Sequence, residues 1–172
     1  MIQPRHLRDL VIIPTLQAMT RVYGEKVYSP AAVNLLLGTA FQESVIGHET
    51  YLKQIGGGPA LGIYQIEPAT HDDIYENYLR HRQDRADFTV GFLSLADTDT
   101  QQTIHEALIH NLRYSTVIAR TKYWRRRFDW PEDPTNIQAL GVIWNDHYNA
   151  NPEHGFPEDF VSAFPMGAML IE

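Results

Sequence analysis

The chain has no cysteine, which excludes a disulfide framework, thiolate metal sites, iron–sulfur clusters and a cysteine nucleophile. Long apolar runs are missing too. VIIP at 11–14 and VNLLLGTAF at 33–41 are the longest, well short of the roughly 20 residues that span a bilayer. The N-terminal stretch MIQPRHLRDLVIIPTLQAM is interrupted by Pro14 and lacks the long apolar core of a secretory signal peptide, so neither a leader nor a membrane span is expected. Basic residues are in deficit, 14 against 21 acidic for a net charge of −7, which argues against a nucleic-acid partner, since such binders gain affinity by neutralising phosphates. Strand signals are few. What is present is 172 residues, 44% of them hydrophobic, enough to close one core without crosslinks. The expectation is a single mainly α domain over 1–172, with an N-terminal helical segment at 1–28, a core at 29–150 and a tail at 151–172.

Hydrophobic periodicity predicts a first helix over 4–20, with Leu7, Leu10, Val11, Leu16 and Met19 on its apolar side and a kink or split at Pro14. In SPAAVNLLLGTAFQES, Ser29 is a candidate N-cap and Pro30 sits at the first helical position; the run behind them is apolar on nearly all sides, as a buried central helix requires. From Gly47 to Pro68 three consecutive glycines and two prolines forbid a helix and permit tight turns or short strands. A helix from Pro68 to about Tyr78 is expected next, then RHRQDRAD as a polar linker. The longest helical pattern runs over 100–125, with Ile104, Leu108, Leu112, Val117, Ile118 and Tyr123 at helical spacing. A last major helix is expected from about Pro134 to Asn149, and a short one at PEDFVSAF within the tail.

Charge is unevenly spread. Arg113, Arg120, Lys122, Arg125, Arg126 and Arg127 form a block without acidic residues, and 128–172 carries eight acidic residues and no Lys or Arg. Cations near a helix end complement its dipole; the competing reading is a patch for an anionic ligand or partner. Among the eight histidines, HEALIH fails the HExxH pattern, because His105 and His110 are five apart, about 140° around a helix at ~100° per residue. His48-Glu49 and His71-Asp72-Asp73 have no further ligand at metal spacing. No metal and no cofactor are expected, and surface or capping roles are the default for these histidines. GGGPALG lacks the Lys and Ser/Thr of a phosphate-binding loop, and there is no GxSxG.

Glu43 ends the apolar helix. A carboxyl there is desolvated, its pKa rises, and it can stay protonated near neutral pH as a general acid does. Downstream, GIYQI places Tyr64 and Gln65 side by side, a pairing of aromatic face and amide that suits sugars. Three separated motifs then occur in order: AFQES with Glu43 and Ser44; GIYQI, preceded by GGGPAL and followed by Pro68 and Thr70; and HYNA with Tyr148 and Asn149. Between the last two lies NLRYSTVIARTKYW. In this order the chain resembles the soluble lytic transglycosylases and goose-type lysozymes, including their phage virion-associated relatives, over residues 30–150.

The resemblance implies a lysozyme-like fold, mainly α with a small irregular or short-stranded region after the catalytic helix. It implies a groove for the peptidoglycan glycan strand, with Glu43 protonating the glycosidic oxygen. Tyr64 and Gln65 would line the groove floor, Tyr148 would orient Glu43 through a hydrogen bond, and Ser44 would stand behind or beside the groove. Asn149 would join the substrate-binding residues. Two departures stand out: Asn151 and Pro152 follow the Tyr-Asn-Ala where the family has a glycine, and Tyr64 replaces the usual methionine.

Glycosidases commonly need a second carboxylate, whereas lytic transglycosylases work with one glutamate and release a 1,6-anhydro product. Glu49, Glu67, Asp72 and Asp73 are the available second groups, with capping or solvation as the plainer role for Glu67 and Asp72. Trp124, Trp130 and Trp144 at helical positions read first as core. An acidic lysozyme gains no steering toward an anionic wall, which favours delivery by a virion, with other virion proteins as partners and the bacterial wall as site of action. The alternative is a lysozyme-like virion component that scaffolds without cleaving.

Overall fold

Ser29 and Pro30 begin the central helix as their chemistry dictates. The computed structural model describes residues 2–94, 96–149 and 155–172. In it the Ser29 hydroxyl accepts from Ala32 N at 3.1 Å, Pro30 occupies the first turn, and helix α3 (Pro30–Ser44) runs through the core with nearly every side chain buried. Around it pack the segment Leu7–Ile12, α7 (Leu112–Trp124), α8 (Ile137–His147) and α9 (Pro157–Ala163), while α2 (Ile13–Tyr23) lies against α7. Two-residue strands β1 (Val45–Ile46) and β2 (Glu49–Thr50) pair antiparallel directly after α3, and bridges from Lys53 to Leu61 and from Leu61 to Ile66 complete a short irregular region. The fold is mainly helical with one small sheet.

The first helix keeps running through Pro14 by changing pitch. A three-residue α1 (Pro4–His6) continues into a π-helical segment, Leu7–Ile12, and then into α2. Pro14 has no N–H to give and its ring crowds the preceding turn; the wider turn, in which Ile13 N reaches back five residues to Arg8 O, accommodates it. The pitch change also moves the apolar face. Leu7 and Ile12, five apart, are both buried, while Leu10, expected on the apolar side, is 62% exposed.

Two further expectations are corrected. The polar stretch expected as a linker contains a helix, α5 (Gln83–Val90). Its sequence shows no apolar stripe because an arginine anchors it: Arg85 Nε donates to Val22 O at 3.1 Å and its guanidinium lies over the Tyr23 ring. The long 100–125 pattern is two helices, α6 (Gln101–His110) and α7, divided at Asn111. There the amide oxygen accepts from Tyr114 N at 3.0 Å as an N-cap and Nδ2 donates to Phe92 O at 2.7 Å. Helix α4 (Pro68–Asn77) lies where expected. The late helix begins at Ile137 rather than Pro134, capped by Asn136, and the Asn151-Pro152 departure falls outside the described residues.

Candidate active site

The end of α3 carries Glu43 to one wall of a cleft of about 460 Å³. The opposite wall is the irregular region, pinned to α3 by Tyr51 N donating to Ser44 O at 2.7 Å. Tyr51, Gln54, Ile55, Gln65, Glu67 and Thr70 face the cleft from that side; Lys122 and Tyr148 close it from α7 and the end of α8. Ile46 and Ile55 are exposed at this lining, so the surface mixes amides, hydroxyls and apolar patches.

Within this arrangement burial perturbs Glu43 strongly. Desolvation raises its pKa to about 7, against the opposing pull of the Trp144 hydrogen bond and the Lys122 charge. Trp144 Nε1 donates to Glu43 Oε1 at 2.8 Å, which fixes the carboxyl's orientation. Lys122 is itself pushed down to about 8 by burial, partly offset by the Glu43 charge. Its ammonium donates to Tyr148 O at 2.8 Å and stands 3.6 Å from the centre of the Tyr148 ring. The site therefore holds a carboxyl that keeps its proton closer to neutral pH than an ordinary glutamate does, with a lysine facing the same cleft.

The expected site residues separate into groups. Glu43, Ser44, Gln65, Tyr148 and Asn149 all line the cleft. Ser44 is buried and donates its hydroxyl to Ala40 O at 2.7 Å, so it forms wall rather than an open donor. Gln65 has φ +43°, a left-handed backbone that costs a non-glycine residue on the order of 1 kcal/mol, and its amide donates to Gly62 O at 2.8 Å. Neighbouring Gly62, at φ +74°, packs so close that a Cβ would meet Leu108 O at 2.0 Å. Tyr64 does not reach the groove floor: it is 0% exposed and its hydroxyl meets Thr116 Oγ1 at 3.2 Å. Alternation across this tight turn sends the tyrosine inward and the glutamine outward.

Tyr148 does not hold Glu43. Its hydroxyl donates to Tyr64 O at 2.8 Å, and its ring stacks on Tyr123 at 5.0 Å, so it braces the turn that presents Gln65. The partner of the acid is Trp144. The signal for this was its position one helical turn before Tyr148, on the same face of α8. Lys122 carried a similar signal, lying four residues after the buried Ile118.

Of the possible second carboxylates, Glu67 alone lines the cleft among the described residues. Asp73 pairs with Arg125. Asp72 accepts from His105 Nε2 at 2.7 Å, contacts His71 Nδ1 at 3.1 Å and accepts from Gln101 Nε2 at 2.8 Å. His71, Asp72 and His105 thus form a set whose ligand atoms lie within 4.8 Å of one another, of a kind that could hold a metal ion. Spacing could not reveal it, since His105 arrives from α6. His71 is buried rather than at the surface, and its Nε2 meets the Tyr114 hydroxyl at 2.7 Å. Burial depresses its pKa, against the opposing pull of the Asp72 hydrogen bond. His110 pairs separately with Asp97 at 2.8 Å.

The chain matches no protein-family model, no curated protein and no solved structure. Among the described residues no helix is long and apolar enough to cross a membrane.

Proposed function

We propose that this protein cleaves the glycan strand of peptidoglycan, with Glu43 as the acid. One observation carries the reading: a carboxyl whose pKa burial raises to about 7, aimed by an indole N–H at 2.8 Å, on the wall of a cleft that offers amides and apolar patches together. A glycan chain presents hydroxyls and N-acetyl groups for the amides and apolar ring faces for Ile46, Ile55 and Tyr51. The motif order around Glu43, Gln65 and Tyr148 directs the choice toward peptidoglycan. Protonated Glu43 gives its proton to the glycosidic oxygen as the C–O bond breaks, leaving an oxocarbenium-like sugar. In the transglycosylase course the sugar's own 6-hydroxyl attacks that carbon and returns its proton to the Glu43 carboxylate, closing a 1,6-anhydro ring. The acidic chain is then best delivered to the wall by a virion rather than steered there by charge.

Glu67 favours a second course. As the other carboxylate lining the cleft, it is placed to activate a water and give hydrolysis.

Mass spectrometry of fragments released from purified peptidoglycan separates these courses. Anhydro-muramyl ends are expected from the wild type, with release falling by at least about 10²-fold in Glu43→Gln. Reducing ends that disappear in Glu67→Gln would replace the transglycosylase with a muramidase. Binding without release at any pH would leave a scaffold and sink the catalytic reading. The Gln variant also carries its own folding control. The Glu43 pKa is raised in the folded state, so its contribution to stability is present at acid pH and lost as pH rises through about 7. The variant's thermal midpoint is expected to equal or exceed that of the wild type above pH 7.

A further inference from the structure

A second cavity, of about 500 Å³, lies where α3 begins and the chain leaves α7. It shares no lining residue with the Glu43 cleft. Tyr28, Trp124, Phe128 and Trp130 supply aromatic walls, and Arg120 belongs to its lining. Arg120 is 2% exposed. Its Nε donates to Val27 O at 2.9 Å, and the guanidinium carbon lies 5.2 Å from the Trp124 ring centre and 5.5 Å from that of Trp130. Its Nη2 has no hydrogen-bond partner, and no carboxylate pairs with it among the described residues.

A buried charged donor left unsatisfied is costly, and native structures keep few of them. Burial lowers the guanidinium to about 10, which still leaves it cationic at neutral pH. The surroundings reinforce the sign. Lys26 and Arg126 share the lining with the single acid Glu132, and the first turn of the 15-residue α3 presents its positive end there. An unpartnered guanidinium among flat apolar walls calls for a ligand with one anionic end and one apolar body.

We propose that this cavity binds a small organic anion, a carboxylate borne on an aromatic or similarly flat apolar group. The carboxylate pairs with the guanidinium of Arg120, and the apolar body lies against the aromatic walls. The site is independent of the Glu43 reading and stands whether or not the protein cleaves glycan.

Phenylacetate and its neutral isostere phenylacetamide test this on the wild-type protein. The chain has three tryptophans. Trp124 and Trp130 are in this cavity and Trp144 is at Glu43, so the three indole N–H resonances, assigned with Trp→Phe variants, report the place of binding. Phenylacetate is expected to move the Trp124 and Trp130 signals saturably and to leave Trp144 unmoved. Phenylacetamide should bind at least about tenfold more weakly, the factor expected on losing a charge-assisted hydrogen bond. Equal response to the amide, movement at Trp144 alone, or no saturable shift up to about 10 mM would each overturn the proposal. Arg120→Met should abolish the preference for the anion; the isostere comparison holds even if that variant fails to fold for want of the Val27 bond.

Discussion

Glu43 is held by an indole N–H, and burial raises the acid's pKa against two weaker opposing pulls, that hydrogen bond first and the Lys122 charge second. Lys122 favours the carboxylate, because its charge lowers the Glu43 pKa. Replacing it with the uncharged Lys122→Met should raise that pKa further. If Glu43 works as a general acid, activity is lost as pH rises through about 7, and in Lys122→Met this alkaline limb should move upward by on the order of one unit. A pH series of fragment release measures it, and an unmoved limb would show that the limb belongs to another group. Gln65 illustrates a different exchange at the same scale. Its left-handed backbone is strained, yet the strain turns its amide toward the cleft while Tyr64 enters the core.

At the level of elements, the crossing of α3 and α9 depends on a glycine. A Cβ at Gly38 would sit 2.1 Å from Phe160 Cζ, so the ring occupies the space a side chain would take. Gly38→Ala gains about 1 kcal/mol of helix propensity but forces the ring aside, at a cost that overpacking puts at about 1–3 kcal/mol or more. The expected net result is destabilisation by about 1 kcal/mol or more, read by denaturant unfolding and relieved in the Gly38→Ala/Phe160→Leu double variant. Helices α6 and α7 show the same dependence on one residue. Asn111 caps one helix and ties down the loop before the other, and its amide satisfies two backbone groups that a continuous helix would leave to neither.

Across the whole molecule, the apolar C-terminal tail is part of the fold. Asn34, fully buried in α3, donates to Leu170 O and accepts from Leu170 N, both at 2.8 Å, while Arg8 Nη1 donates to Ala168 O at 2.7 Å. Phe164 and Ala168 join the core. Removing residues 165–172 takes away both Leu170 partners of Asn34, leaving its Oδ1 and one amide hydrogen unpaired while the other still donates to Pro134 O at 2.9 Å, and unsatisfied buried groups cost about 1–3 kcal/mol each. For a chain of this size that corresponds to a fall of roughly 5–10 °C in Tm, measurable by calorimetry; an unchanged midpoint would mean the tail is dispensable.

Much of the helical frame was legible along the chain. Ser29-Pro30 announces a helix start, the apolar run behind it has to be buried, the glycines of 56–58 forbid continuation, and a carboxyl ending such a run is desolvated. These are local consequences of caps, backbone freedom and burial, so neighbouring residues suffice to determine them. Contacts between distant segments were not legible. Trp144 rather than Tyr148 meets Glu43, and His105 meets Asp72. Arg120, read from the sequence as one of a block of cations near a helix end, is enclosed by aromatic rings. Hydrogen-bond partners and desolvation are set by distances of a few ångströms between residues tens of positions apart, and those distances exist only once the helices have packed.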